Sequence, residues 1–299
     1  MRIAITGATG MIGGKLTAFL LAQGHQIAVI SRGPVHPPQT SVIRWDPATN
    51  DIDARQLEGF DVIIHLAGSN VGEYWSPAYK KSILESRVLS TTLLCETLLK
   101  VVSKPKLLIS ASAIGFYGNH PPEVVLDEHS PVGKGFLADV CRQWEAATDL
   151  LQSTGVRIVR MRLGVVLSKA GGALNKMWVP FQSGIGGILG SGRQMMSWVA
   201  IDEIHYVVDY LIKTDSLSGA VNVVSPQAVS NAQFTKILGN VLHRPTVLPV
   251  PSFVIRMLFG EMGQNLLLEG AHVVPRRLQD SGYQFHFADL KAALEKVTA

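Results

Sequence analysis

Three glycines, Gly7, Gly10 and Gly13, are spaced as a phosphate-holding turn requires, in the run Gly7-Ala8-Thr9-Gly10-Met11-Ile12-Gly13. The first glycine makes the tight turn, the second lets backbone approach a pyrophosphate, and the third lets a helix pack on a strand. Thr9, Met11 and Ile12 share the turn and belong to the expected cofactor contacts. Downstream, Ser31-Arg32 stands at the end of the second strand pattern. A site for NAD carries an acidic residue there, whose carboxylate holds the ribose hydroxyls and repels a 2′-phosphate. A hydroxyl and a guanidinium instead suit that phosphate, so the expected cofactor is NADP(H). Asp46, ending the third strand pattern, is placed either to touch adenine or to cap the turn before Pro47. In His65-Leu66-Ala67-Gly68 the small residues let backbone pass close to a dinucleotide, and His65 reads as a packed, hydrogen-bonded side chain in preference to a catalyst. Ser86-Arg87 brings a hydroxyl and a cation toward the same ligand.

The elements that must position these residues alternate through the first half of the chain. Apolar runs at Arg2 to Thr6, Gln26 to Ile30, Val42 to Trp45, Asp61 to Leu66, Lys106 to Ser110 and Val156 to Leu163 read as strands. Helical spacing marks Ile12 to Leu20, Ala78 to Val102 and Phe136 to Ser153 between them. The alternation predicts an α/β fold, a Rossmann doubly wound parallel sheet with right-handed crossovers, over residues 1–170. Beyond Gly171 glycines and prolines crowd in, and residues 171–299 read as a smaller C-terminal α/β substrate lobe. Within it, helices are expected at Asp202 to Lys213 and Asn231 to Leu242, with Asp202 and Ser230 as caps. The run 220–224 should return to the sheet.

With 299 residues, 47% of them hydrophobic, 17% charged and a net charge of +4, the composition is that of a globular protein. No basic run points to nucleic acid; a small anionic ligand suits the charge better. Cys95 and Cys141 form neither a disulfide framework nor a zinc pattern, no metal is expected, and no stretch is long and apolar enough to span a bilayer. A cytoplasmic location follows as an expectation, with oligomeric state left open.

Taken together, Gly7 to Gly13, His65 to Gly68, Ser110-Ala111-Ser112-Ala113 and Tyr117-Gly118 resemble the extended short-chain dehydrogenase/reductase superfamily, the group of sugar-nucleotide epimerases and dehydratases. Pro180-Phe181, Gly184 to Gly187, Gly190 to Gln194, Ser197-Trp198, Ile201 to Glu203, Ser225-Pro226, His243 to Pro245 and Pro275 to Arg277 resemble its atypical "epimerase family protein" branch, some of whose members are filed as SulA-like. Residues 243–299 then read as a family-specific C-terminal module. The resemblance implies Gly7, Gly10 and Gly13 at the pyrophosphate, Ser31 and Arg32 at the 2′-phosphate, and Leu66 and Ala67 beside the adenine ribose. It also implies Arg87 across the dinucleotide and Gly164-Val165 near nicotinamide.

Superfamily chemistry uses a serine or threonine with a Tyr-x-x-x-Lys pair, in which the lysine lowers the phenol's pKa and the tyrosine exchanges a proton with substrate oxygen. Glu145 supplies the register, and the pair's positions hold Leu137 and Cys141. Ser112 matches the serine, with one residue more than usual before Tyr117-Gly118, and Tyr117 is the candidate substitute acid or base. Lys176, Arg193, Gln194, Trp198 and Arg276 are the candidate contacts for a polar, anionic or sugar-type substrate. Two readings follow: an NADP(H)-dependent oxidoreductase or epimerase, and a non-catalytic NADP(H)-binding regulator or interaction protein linked to cell division.

Overall fold

In the computed structural model, which describes residues 1–33 and 36–298, eight strands form one sheet. They are β1 (Arg2–Thr6), β2 (Gln26–Ser31), β3 (Ser41–Asp46), β4 (Asp51–Ile52), β5 (Val62–His65), β6 (Leu107–Ala113), β7 (Arg157–Leu163) and β8 (Gly219–Val223), in the spatial order β8-β7-β6-β5-β1-β2-β3-β4. All neighbours run parallel except β4, which turns back antiparallel on β3. The order reverses direction between β1 and β5, and a crevice opens at such a switch point beyond the strands' carboxyl ends.

The central strands are apolar on both faces because helices cover both. All four residues of β5 are buried. On one face α1 (Met11–Ala22) brings Leu16 and Leu20 onto Ile3, Ile5 and Val29. On the other α2 (Pro77–Lys100) brings Leu94 and Leu98 onto Ala4, Ile63 and Leu108. α2 starts where Ser76 accepts a hydrogen bond from the Tyr79 amide, with proline at the first helical position. α3 (Phe136–Ala146) continues into a 3₁₀ turn at Ala147–Leu151, so the helix expected to Ser153 ends earlier.

The chain then leaves the sheet to build α4 (Gly172–Gln182) and α5 (Ile201–Lys213), returns with β8, and continues through α6 (Asn231–Leu242), α7 (Ser252–Gly263), α8 (Arg276–Asp280) and α9 (Leu290–Thr298). α5 crosses back onto the sheet, where Val207, Val208 and Leu211 join the core under β1 and β8. The lobe has its own core of Leu174, Phe181, Trp198, Phe234, Leu238 and Leu294. Ser230 caps α6 with a full capping box through Gln233. Asp202 does not cap α5: Ala200 holds that position, and the Asp202 carboxylate meets Lys15 at 3.1 Å. Strand Trp198–Ala200 runs straight into the helix, leaving no capping residue between. Among the described residues no helix is long and apolar enough to cross a membrane.

Candidate functional site

The crevice floor is built by backbone contact. Gly7 has φ 69°, and a β-carbon on it would lie 2.9 Å from the Leu66 carbonyl. One on Gly13 would lie 2.2 Å from the Gly7 oxygen, so the end of β1, the end of β5 and the start of α1 meet without side chains between them. At the amino end of α1 no side chain caps the helix and no acidic residue lies in the first turn. The positive end of the helix dipole is thus left to a ligand, and this cradle fits a pyrophosphate. Met11 packs beside the glycines opening α4: a β-carbon on Gly171 would be 3.2 Å from its sulfur.

Thr6 fastens this floor. Its hydroxyl accepts from the amides of Leu66 and Ala67 at 3.0 and 3.1 Å and meets His65 Nδ1 at 2.8 Å. His65 Nε2 lies 2.9 Å from the Thr91 hydroxyl, which itself donates to the Arg87 carbonyl. The partners therefore assign the imidazole proton to Nε2, and complete burial pushes the pKa down to about 4. The structure places His65 as a packed brace linking β1, β5 and α2.

Ser31 accepts from the Gly33 amide at 3.2 Å, and Arg32 stands exposed beside it. Asp46 accepts from the Ala48 amide at 3.0 Å, which gives its carboxylate the turn-capping partner. Arg87 lies alongside Gly68, with its two terminal nitrogens donating to the carbonyls of Ser69 (2.9 Å) and Ile83 (3.0 Å) and its plane 5.0 Å from the Trp144 ring. Gly164 is required by close approach, since a β-carbon there would lie 2.6 Å from the Ser197 oxygen; Val165 then donates to that same oxygen at 2.9 Å.

The proton-transfer positions are occupied differently from the superfamily pattern. Leu137 and Cys141 pack against Gly115, whose missing β-carbon would touch both. Burial pushes the Cys141 thiol up to about 12, leaving it protonated and unreactive. Ser112 donates to Glu145 Oε1 at 2.7 Å, and both are buried. Arg162 clasps the same carboxylate through Nε and Nη2, each at 2.8 Å, and donates from Nη1 to the Tyr117 oxygen at 3.0 Å. Tyr117 in turn donates to Asn222 at 2.7 Å; its side chain is fully buried and its pKa is pushed up to about 12 by that burial. The hydroxyls of Ser112 and Tyr117, the candidate proton-transfer groups, are thus engaged in a closed network with Glu145, Arg162 and Asn222. Arg162 and Asn222 were not singled out. The available signal was an arginine inside a strand buried on both faces, which requires a partner.

Lys176 reaches the Gly72 carbonyl and lies 3.1 Å from the Glu73 carboxylate, across from the end of β5. Gln194 donates to the carbonyls of Leu189 and Leu267 and so ties two loops together. Arg193 and Arg276 are exposed. Beside Arg276, Arg277 grips the Ser218 carbonyl just before the edge strand and the Ala220 carbonyl on it. Trp198 corrects the expectation for it: at 0% exposure, with its indole nitrogen donating to the Gln227 carbonyl, it is a core residue unable to touch substrate. Among the described residues no cluster of three or more metal-ligating side chains occurs.

A doubly wound parallel sheet whose first turn is this glycine cradle, carrying a second lobe over its carboxyl ends, defines a Rossmann-type protein of the extended short-chain dehydrogenase/reductase kind. The chain belongs to the NAD dependent epimerase/dehydratase family, whose profile matches residues 3–223; residues 250–297 match a domain of unknown function, DUF1731. It is 39% identical over 297 residues to Epimerase family protein Mb2239 of Mycobacterium bovis, covering 99% of this chain and 97% of the relative. Human epimerase family protein SDR39U1, solved with NADPH, superposes with a TM-score of 0.90 at 34% identity, covering 99% of both chains. A Thermus thermophilus UDP-glucose 4-epimerase solved with NAD shares the fold at 19% identity and a TM-score of 0.79, over 99% of this chain and 97% of that one.

Proposed function

We propose that this chain binds NADP(H) across the carboxyl ends of the sheet and acts as an oxidoreductase or epimerase on a carbonyl- or sugar-type substrate. The observation that carries the cofactor reading is the end of β2, where Ser31 and exposed Arg32 stand in place of an acidic residue. The human relative's crystallisation with NADPH supports it. The bound dinucleotide would give or take a hydride. The chain's own residues would seat the pyrophosphate at Gly7, Gly10 and Gly13 and hold the 2′-phosphate at Arg32, and Gly164 and Val165 would lie near the nicotinamide end. With Ser112 and Tyr117 committed to Glu145 and Asn222, substrate oxygen exchanges its proton with water.

That same commitment favours a second reading, in which the dinucleotide is a bound ligand that orders the two lobes for a partner and no chemistry follows. Calorimetry with NADPH and NADH, repeated on Arg32→Glu, tests the cofactor reading. Selective NADPH binding weakened by about tenfold or more in the variant is expected, since a charge-assisted pair is lost. Equal binding of both dinucleotides would sink it. A screen of aldehydes, ketones and nucleotide sugars for change in NADPH absorbance then separates enzyme from regulator.

A further inference from the structure

Arg87 is a cation without a counter-anion. Its guanidinium is held by two carbonyls and the face of Trp144, and among the described residues no carboxylate lies within ion-pair distance of it. Elsewhere in the interior the chain does pair its charges, as Arg162 with Glu145 shows. Holding an unpaired charge in a partly desolvated place is costly, which makes the placement informative. An arginine this enclosed still keeps its proton near neutral pH.

Its place in the fold says what it faces. If Arg32 holds the adenosine half beyond β2, the nicotinamide half must cross β1 toward β5, β6 and β7, because the glycine turn fixes the pyrophosphate between them. Arg87 stands on that side. It lies along Gly68 just past β5, while the Trp144 ring beneath it is on α3, beside Cys141, where the superfamily's lysine would stand. The Cys141 thiol is neutral and offers no compensating charge.

We infer that Arg87 makes the site discriminate between the two redox states of its coenzyme, binding NADPH and disfavouring NADP⁺. The oxidised nicotinamide ring carries a positive charge and the reduced ring carries none. A fixed cation on the same side of a partly dry crevice repels the first and leaves the second untouched, by on the order of tenfold in affinity. The inference rests on the NADP(H) reading above and adds to it a role for the charge.

Calorimetric titration of the full chain with NADPH and with NADP⁺ tests it, on the wild type and on Arg87→Gln, Arg87→Met and Arg87→Lys. The wild type is expected to favour NADPH by roughly tenfold. Arg87→Gln, and Arg87→Met, which keeps an apolar stem over Trp144, should bring the ratio near unity mainly by tightening NADP⁺. Arg87→Lys should preserve it. A merely structural role would weaken both titrations together and leave the ratio alone, and that result overturns the inference, as do equal affinities in the wild type. Failure of both coenzymes to bind would overturn the cofactor reading itself, whereas equal binding of NADPH and NADP⁺ leaves that reading standing.

Discussion

His65 is held between two threonine hydroxyls out of reach of water, and its neutral form is the one the fold accommodates. Its folded pKa, about 4, lies below the ordinary value of 6.5, so the unfolded chain takes up the proton first as pH falls. The stability this residue contributes is fully present above about pH 6.5 and is lost progressively as pH drops toward 4, to a total of about 3 kcal/mol. Urea unfolding at pH 7 and pH 4.5 should show the loss, and His65→Asn should remove most of its pH dependence. An unchanged slope in the variant would mean that other groups control acid sensitivity. At this scale the sequence was readable where backbone geometry dictates residue type: Gly7, Gly13 and Gly164 are glycines because nothing larger fits or turns there. It was less readable for hydroxyls. Ser112 and Tyr117 carry the right atoms for proton transfer, but their partners Glu145, Arg162 and Asn222 come from distant elements that no local pattern joins.

The glycine turn works only as the junction of two elements, and neighbouring glycines of α1 separate its two requirements. A β-carbon at Gly13 would press 2.2 Å from backbone oxygen, whereas at Gly14 it would sit 3.5 Å from the Ala8 oxygen in ordinary contact. Gly13→Ala should therefore push α1 off β1 and cost both stability and dinucleotide binding. Gly14→Ala should be neutral or stabilise by up to about 1 kcal/mol through helix propensity. Thermal unfolding of the two variants side by side checks this, and equal losses would show that the helix tolerates no alanine in its first turns. Long elements with buried faces matched their sequence patterns within a few residues, except α3, which ends at Ala146, short of the expected Ser153. β4 did not announce itself, because two residues paired with the end of β3 hold their strand conformation by that pairing alone. Pairs such as Val125–Leu126 with His272–Val273 depend on segments far apart in the chain and carry no periodicity of their own.

Across the whole molecule the two halves read from composition share one core. Val207, Val208 and Leu211 of α5 and Val221 and Val223 of β8 lie beyond residue 170, yet they pack with Ile5, Ile109 and Met161. A chain cut after residue 170 should therefore lose cooperative unfolding and near-ultraviolet circular dichroism; a single sharp urea transition would show instead that the first unit folds alone. The late arrival of β8 also matters during synthesis. At the ribosome's pace β7 would wait on the order of several seconds as an open edge before its partner emerges. Such an edge invites pairing with other chains, and charged side chains are the usual protection. Arg157, Arg160 and Arg162, spaced along β7, supply that protection while the strand is bare. Once the fold closes, the same three side chains reach the Leu217 carbonyl, Asp149 and Glu145, so the residues that keep the nascent edge apart finish as fasteners of the mature sheet.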